Sequence, residues 1–317
     1  MSRSLTRLFV PLILAVALPC LASAQQPSDP TFVTKVARPM FVGHHPRLLV
    51  DQGHFNTHTT HIYYDALAQL AIGDGFEVFT DANPFSQRDL KGAEVLLIAN
   101  PLGCEDLTSP RVTNPAFTKA ECDAVHAWVE AGGALLLIVD HAPMGIAARP
   151  MGTRFGVDFS AAYLVDSALA DSSFGASTLV FSQATGTLGE HVIMHGRSPA
   201  ERIKRVRTYT GQSLSVPPGS VALLKVTSHA QDIMLGPASG LGVVPDSLKH
   251  SAAGRAQAIA FTVGKGRVVM IGEGSVFVAQ VKQGRDGKDH KVGMNSPGFD
   301  NRQFALNVLR WLAKGLN

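Results

Sequence analysis

The sequence predicts an α/β fold: a doubly wound, mostly parallel sheet interrupted by an irregular insertion. Three observations carry this reading. Short apolar runs recur without the alternation of a half-exposed strand, segments of helical periodicity separate them, and polar residues follow each run directly. Continuous apolar runs belong to strands buried on both faces, and strands that alternate with helices pair in parallel through crossovers.

The elements follow in chain order. Arg47-Leu-Leu-Val-Asp51 reads as a buried strand and Tyr63 to Ile72 as a helix closed by Gly73 and Gly75. Phe76 to Thr80, β-branched and aromatic, suits a second strand, and Glu94 to Ala99 a third, ended by Asn100-Pro101. Thr118 to Ala131 carries Val125, Trp128 and Val129 at helical spacing, with Gly132-Gly133 as its stop, before the apolar strand Ala134 to Val139. From 145 to 254 the pattern weakens into Gly, Ser and Pro with short apolar pieces such as Val221 to Val226, which predicts an insertion or irregular edge strands. Regularity returns with Ala258 to Thr262, the turn Gly264-Lys265-Gly266, and Arg267 to Ile271. Phe304, Val308, Trp311 and Leu312 then mark the apolar face of a closing helix.

Arg3 and Arg7 precede an apolar stretch from Leu8 to Leu21, and Ala22-Ser23-Ala24 places small residues at a cleavage position. Residues 1–24 are therefore expected to be a cleavable signal and the mature chain to be secreted or periplasmic. The stretch is too short for a comfortable bilayer span, so no membrane association is expected after cleavage. Residues 25–39 read as a polar leader and 40–317 as a single α/β domain, with 145–254 as the irregular segment. The formal charge of +3 becomes +1 without the two signal arginines (3 − 2), and no basic stripe interleaved with aromatics appears, so nucleic acid is not an expected partner. Cys104 and Cys122 remain after cleavage; a disulfide and two small buried apolar residues are both open readings.

Ligands of open α/β sheets bind beyond the carboxyl ends of the strands, so the residues just past each apolar run are the candidates. Asp51, His54 and Asn56 follow the first strand, Asn100 the third, Asp140 and His141 the fourth, and Glu273 and Ser275 the last. Crowded carboxylates push one another's pKa apart and imidazole titrates near neutrality, so Asp140, His141, Glu273 and His54 are the candidate catalytic set. Asp51, Asn56, Asn100 and Ser275 are candidate ligand contacts. Asn295, in the segment Lys282 to Phe299 whose Gly, Lys and Asp content reads as a lid or as an exposed loop, and Asp300, just past it, join the ligand set. Capping of helix amides is the alternative reading for each single Asp or Asn.

His54, His58 and His61 stand four and three apart, and His191 and His195 four apart, yet neither group contains His-Glu-x-x-His and the first straddles a loop. Hydrogen-bonded histidines are expected rather than a metal site, and no cofactor is expected. Gly272-Glu-Gly-Ser275 lacks the last glycine of a dinucleotide loop, Ser275 lies in no Gly-x-Ser-x-Gly elbow, and no phosphate-binding loop occurs.

Asp51-Gln-Gly-His54-Phe-Asn56, Val95-Leu-Leu-Ile-Ala-Asn100-Pro, Trp128-Val-Glu-Ala-Gly132-Gly133, Leu135-Leu-Leu-Ile-Val-Asp140-His and Gly266-Arg-Val-Val-Met-Ile-Gly272-Glu273 together resemble uncharacterised secreted proteins with a class I glutamine amidotransferase-like, flavodoxin-like fold. That fold group includes the amino-terminal domains of gliding-motility and intraflagellar-transport proteins and trehalose-utilisation-like proteins. The resemblance implies the fold over most of the mature chain. Amidotransferases carry a nucleophilic cysteine at the turn where this chain has Asp140-His141, so the resemblance does not bring glutaminase activity with it.

Two functions remain. One is a hydrolase acting on a carbohydrate or other polar substrate, with Asp140 and Glu273 as acid and base and His54 and His141 orienting groups or moving protons. The other is a non-catalytic module that binds a glycan or small polar ligand in the same crevice.

Overall fold

A seven-stranded sheet lies at the centre of the computed structural model, which describes residues 28–86, 90–171, 173–234, 244–283 and 287–317. Its strands are β1 (Arg47–Asp51), β2 (Glu77–Asp81), β3 (Val95–Ala99), β4 (Ala134–Ile138), β5 (Val221–Lys225), β6 (Ala256–Val263) and β7 (Gly266–Ile271). The order is β2-β1-β3-β4-β7-β6-β5. The five strands from β2 to β7 run parallel, and β6 and β5 close one side antiparallel. The sheet is thus mixed and mostly parallel, and the turn at Gly264-Lys265 is what reverses the direction.

Apolar side chains on both faces explain the unbroken runs. Along β3 and β4, Val95, Leu97, Ala99, Ala134, Leu136 and Ile138 enter one core, while Leu96, Ile98, Leu135 and Leu137 enter the other. Successive strand residues point to opposite faces, so a strand covered on both sides needs every residue apolar. Helix α1 (Asp65–Gly73) and the closing helix α3 (Asn301–Leu312) cover the first core; α2 (Lys119–Glu130) covers the second. Thr118 caps α2 through a capping box with Glu121. The buried Arg310 of α3 pairs with Asp74 just past α1, Nε to Oδ2 at 2.7 Å, which fastens the two helices to each other. Gly75 follows at φ +99, where a Cβ would lie 1.8 Å from the Phe41 carbonyl oxygen, so only glycine ends this helix here.

The stretch 145–254 is more regular than its sequence suggests. It holds short helical turns, two three-stranded antiparallel sheets, and β5 itself, which completes the central sheet beside β6. These small sheets are built from strands of two to eight residues with mixed burial, too short and irregular to give a period. Part of the segment expected as a lid or exposed loop pairs as a hairpin, Ala279–Gln283 running antiparallel to Asp289–Gly293. Residues 28–39 of the leader are docked on the fold: Asp29 N donates to the Ala279 carbonyl at 2.7 Å, and its carboxylate meets Lys291 at 2.8 Å. The expected signal, residues 1–24, lies outside the described residues. Among those described, no helix is long and apolar enough to cross a membrane. Cys104 and Cys122 are both free, Cys122 buried in α2.

Candidate functional site

Parallel register sets the carboxyl ends of β1, β3, β4 and β7 along one edge, where Ala99 pairs with Ile138 and Ile138 with Ile271. The polar residues beyond these ends divide into two separate clusters.

In the first, His54 lies between two carboxylates. Its Nδ1 donates to Asp51 Oδ1 at 2.9 Å and its Nε2 to Glu121 Oε1 at 2.9 Å. Carboxylates only accept, so both ring nitrogens carry protons and the ring is an imidazolium. Burial alone would lower the His54 pKa, but the hydrogen bonds and charges of Asp51 and Glu121 outweigh it and raise the value. Phe85 and Phe117 flank the ring with centroids at 4.6 Å. Asn56 completes the cluster, donating to Asp51 Oδ2 at 3.0 Å and to the Ala99 carbonyl at 3.2 Å. Both ring nitrogens of His54 and both oxygens of Asp51 have partners inside the cluster, and the group joins the β1 end to α2.

The second cluster lies at the ends of β3, β4 and β7. The backbone amide of Asp140 donates to Asn100 Oδ1 at 2.8 Å, which fixes the orientation of the Asn100 amide. Asn100 Nδ2 must then donate, and it does so to Asp140 Oδ2 at 2.7 Å and to His58 Nδ1 at 3.2 Å. His58 Nδ1 is therefore an acceptor and its proton is on Nε2. Burial, with the positive charge of Lys282, lowers the His58 pKa to about 3, so the ring is neutral. Asn100 holds φ +48, a left-handed conformation that asparagine tolerates better than most residues and that aims its amide between the other two groups.

Asp140 Oδ1 accepts from the Gly274 amide at 2.8 Å. Glu273, wholly buried, turns back to accept from the Ser275 and Val276 amides, both at 2.7 Å, and from the Ser275 hydroxyl. Burial, then the charge of Asp140, pushes Glu273 up to about 8; burial also raises Asp140, against the pull of Asn100 and Gly274. The Tyr64 hydroxyl donates to the Gly274 carbonyl at 2.9 Å, and burial, Asp140 and Glu273 hold its pKa up, so it stays a donor. His141 Nδ1 meets the Ala142 carbonyl at 2.7 Å and must carry the proton there. That ring stacks on Tyr163 at 3.9 Å. The insertion is pinned against this edge by Gln212, whose Nε2 donates to the Val139 and Asp140 carbonyls, both at 2.9 Å.

The structure thus brings Asn100, Asp140, His141, Glu273 and Ser275 together. It does not bring Asp51, His54 and Asn56 to them; those three form the closed cluster, where His54 has no free nitrogen for proton transfer. Asn295 donates to Asp29 Oδ2 at 2.9 Å and so holds the leader, and Asp300 accepts from the Lys204 and Arg205 amides at 2.7 and 2.9 Å. Neither faces the crevice cluster. The histidine triplet is dispersed: His54 is in the closed cluster, His58 in the one around Asp140, and His61 is exposed. His191 caps a short helical turn and packs edge-on against Trp311, while His195 pairs with Glu190 at 3.2 Å.

Sequence reasoning assigned no role to Glu121, Tyr64, Tyr163, Lys282 or Gly274, and noticed His58 only as part of the triplet. A helical position such as Glu121 or a strand position such as Tyr163 gives no local sign of the loop it will face. The capping box Thr118-x-x-Glu121 was legible as a pattern, but not that the same carboxylate reaches His54.

No family model matches the chain, nor does any curated protein. Among solved structures it is similar to the mmIFT52 N-terminal domain, at 14% identity and a TM-score of 0.57, covering 84% of this chain and 97% of that one. It is also similar to a ThuA-like protein from Bacteroides uniformis, at 14% identity and a TM-score of 0.44, covering 87% and 93%. The first likeness is to the fold alone; with the mostly parallel sheet it supports a distant glutamine amidotransferase-like fold.

Proposed function

We propose that this chain is an exported hydrolase of a small polar substrate, with a sugar as the first class to test. The observation that supports this most is the pairing of Asp140 and Glu273, two carboxylates from neighbouring strand ends whose burial favours the protonated form, beside a histidine whose Nδ1 is held by a backbone carbonyl. His141 accepts the proton of an attacking water at Nε2, and the carboxylate pair stores and returns one proton near neutrality. Asn100 orients one oxygen of Asp140, and the Gly274 amide holds the other.

One observation favours a second reading, a non-catalytic binding module: all four oxygens of the pair already accept hydrogen bonds within the protein. Thermal stabilisation against a panel of sugars, followed by product release with the best binder, separates the two. Turnover that is lost in Asp140→Asn and Glu273→Gln supports hydrolysis. Binding without product, equally preserved in both variants, overturns it. Export rests on the pattern from Arg3 to Ala24, and sequencing the amino terminus of the mature chain tests it; a start at Gln25 is expected.

A further inference from the structure

The insertion and the hairpin 279–293 border a cavity of about 220 Å³. The insertion contributes Phe174, Thr178, Tyr209 and Thr210 to its wall, and the hairpin contributes Lys282 and Gln283. None of the residues of the carboxylate cluster lines it, and the chain at Gly211 stands between its wall and Glu273. Thr210 is followed by Gly211, which packs so closely on Glu273 that a Cβ there would lie 2.7 Å from the Glu273 Cβ. The charge of Lys282 is felt at both Asp140 and His58.

The cations near the cavity differ in one respect. Arg207 stands over Phe174 at 4.8 Å and is neutralised by Asp171 at 2.7 Å. Lys282 forms no ion pair among the described residues, although it lies on the cavity wall. An ammonium without an acidic partner among the described residues, next to two aromatic rings and two hydroxyls, is a recognition set for an anionic group on a hydroxylated ring. The volume sets the size, since drug-sized ligands fill roughly 300–1,000 Å³ and this space is smaller, as a single ring requires.

We propose that this cavity binds a single-ring polyol bearing a carboxylate or phosphate, with Lys282 holding the anion and Thr178, Thr210 and Gln283 meeting ring hydroxyls. The inference goes beyond the hydrolase reading, because no wall of this cavity belongs to the carboxylate pair.

Equilibrium binding of glucuronate, glucose 6-phosphate and glucose to the full chain tests this by calorimetry. At least one anionic sugar is expected to bind about tenfold more tightly than glucose, the worth of one charge-assisted hydrogen bond, and the tighter one identifies the anionic group. In Lys282→Met the preference falls to near equality, and Lys282→Arg restores it. An unchanged melting temperature in both variants, expected for an exposed strand residue, separates this from misfolding. Equal binding of the three sugars, no binding of any, or a preference that survives Lys282→Met overturns the proposal. Because product is not measured, the outcome is independent of hydrolysis: an anionic preference without turnover removes the hydrolase reading alone, and turnover of a neutral sugar without preference removes this one alone.

Discussion

The closed cluster at the end of β1 and the cluster around Asp140 at the ends of β3, β4 and β7 use the same side chains, two carboxylates, an asparagine and imidazole, to opposite effect. Around His54 the charges alternate, carboxylate, imidazolium, carboxylate, so each ion lowers the cost of burying the next. Around Asp140 the imidazole is neutral and the neighbouring acid is Glu273, so like charges meet without a bonded cation and protons bind more tightly. The contrast teaches that residue type at a strand end does not set its role; the sign of its nearest neighbour does.

Deleting the imidazolium gives the largest expected effect. His54→Ala strands two buried carboxylates and should cost about 3–5 kcal/mol in urea unfolding. A loss under about 1 kcal/mol would mean that the closed cluster does not hold β1 to α2.

Asp140→Asn should do the reverse. Turnover on a hydrolysed substrate is expected to fall about 100-fold or more, with stability held or raised because the charge facing Glu273 is gone. Destabilisation like that of His54→Ala would make the two clusters alike.

Gly274→Ala comes next. Its backbone, φ −89, suits alanine, but the methyl would stand 3.1 Å from Asn100 Nδ2 and Asp140 Oδ2 and 3.4 Å from His58 Nε2. Stability should drop by about 1 kcal/mol while turnover or ligand affinity falls about tenfold. Unaffected binding would remove this gap from the site.

The dependence of stability on pH separates the clusters more finely. Glu273 binds its proton up to about pH 8 in the folded chain but only to about 4.5 when unfolded, so stability falls as pH rises through that window. His54 is raised from 6.5, so its contribution is complete below 6.5 and fades as pH rises through its folded value. Between pH 5 and 6 the slope should therefore flatten in Glu273→Gln and persist in His54→Gln, as read by melting temperature. Matching slopes in the two variants would refute the assignment. The smallest effect concerns α2: a reductant should leave the melting temperature unchanged, because Cys122 and Cys104 are unpaired, and a fall of several degrees would show that they pair.

Much of the scaffold was legible. The strand Arg47–Asp51 was read to its ends, and the runs Glu94 to Ala99 and Ala134 to Val139 differ from β3 and β4 by one terminal residue each. Burial on both faces leaves a run that no half-exposed strand or helix imitates. The insertion resisted because its strands pair across gaps in sequence, as when Ala230–Ile233 joins Tyr163–Asp166, and each is too short to show a period. Asp300, expected as a site contributor or a helix cap, instead accepts amides of residues 204 and 205, a contact with no local signature.

The sequence alone determined that Asn100, Asp140 and Glu273 would stand at strand ends, because apolar runs stop where the chain leaves the two cores. Only the tertiary structure decided which of those ends share a cluster. Strand order put β3, β4 and β7 side by side, α2 brought Glu121 to His54, and the orientation of one asparagine amide fixed the proton on His58. Hydrogen bonds and charges act over a few ångströms, and neighbours at that range are set by folding rather than by adjacency in the chain.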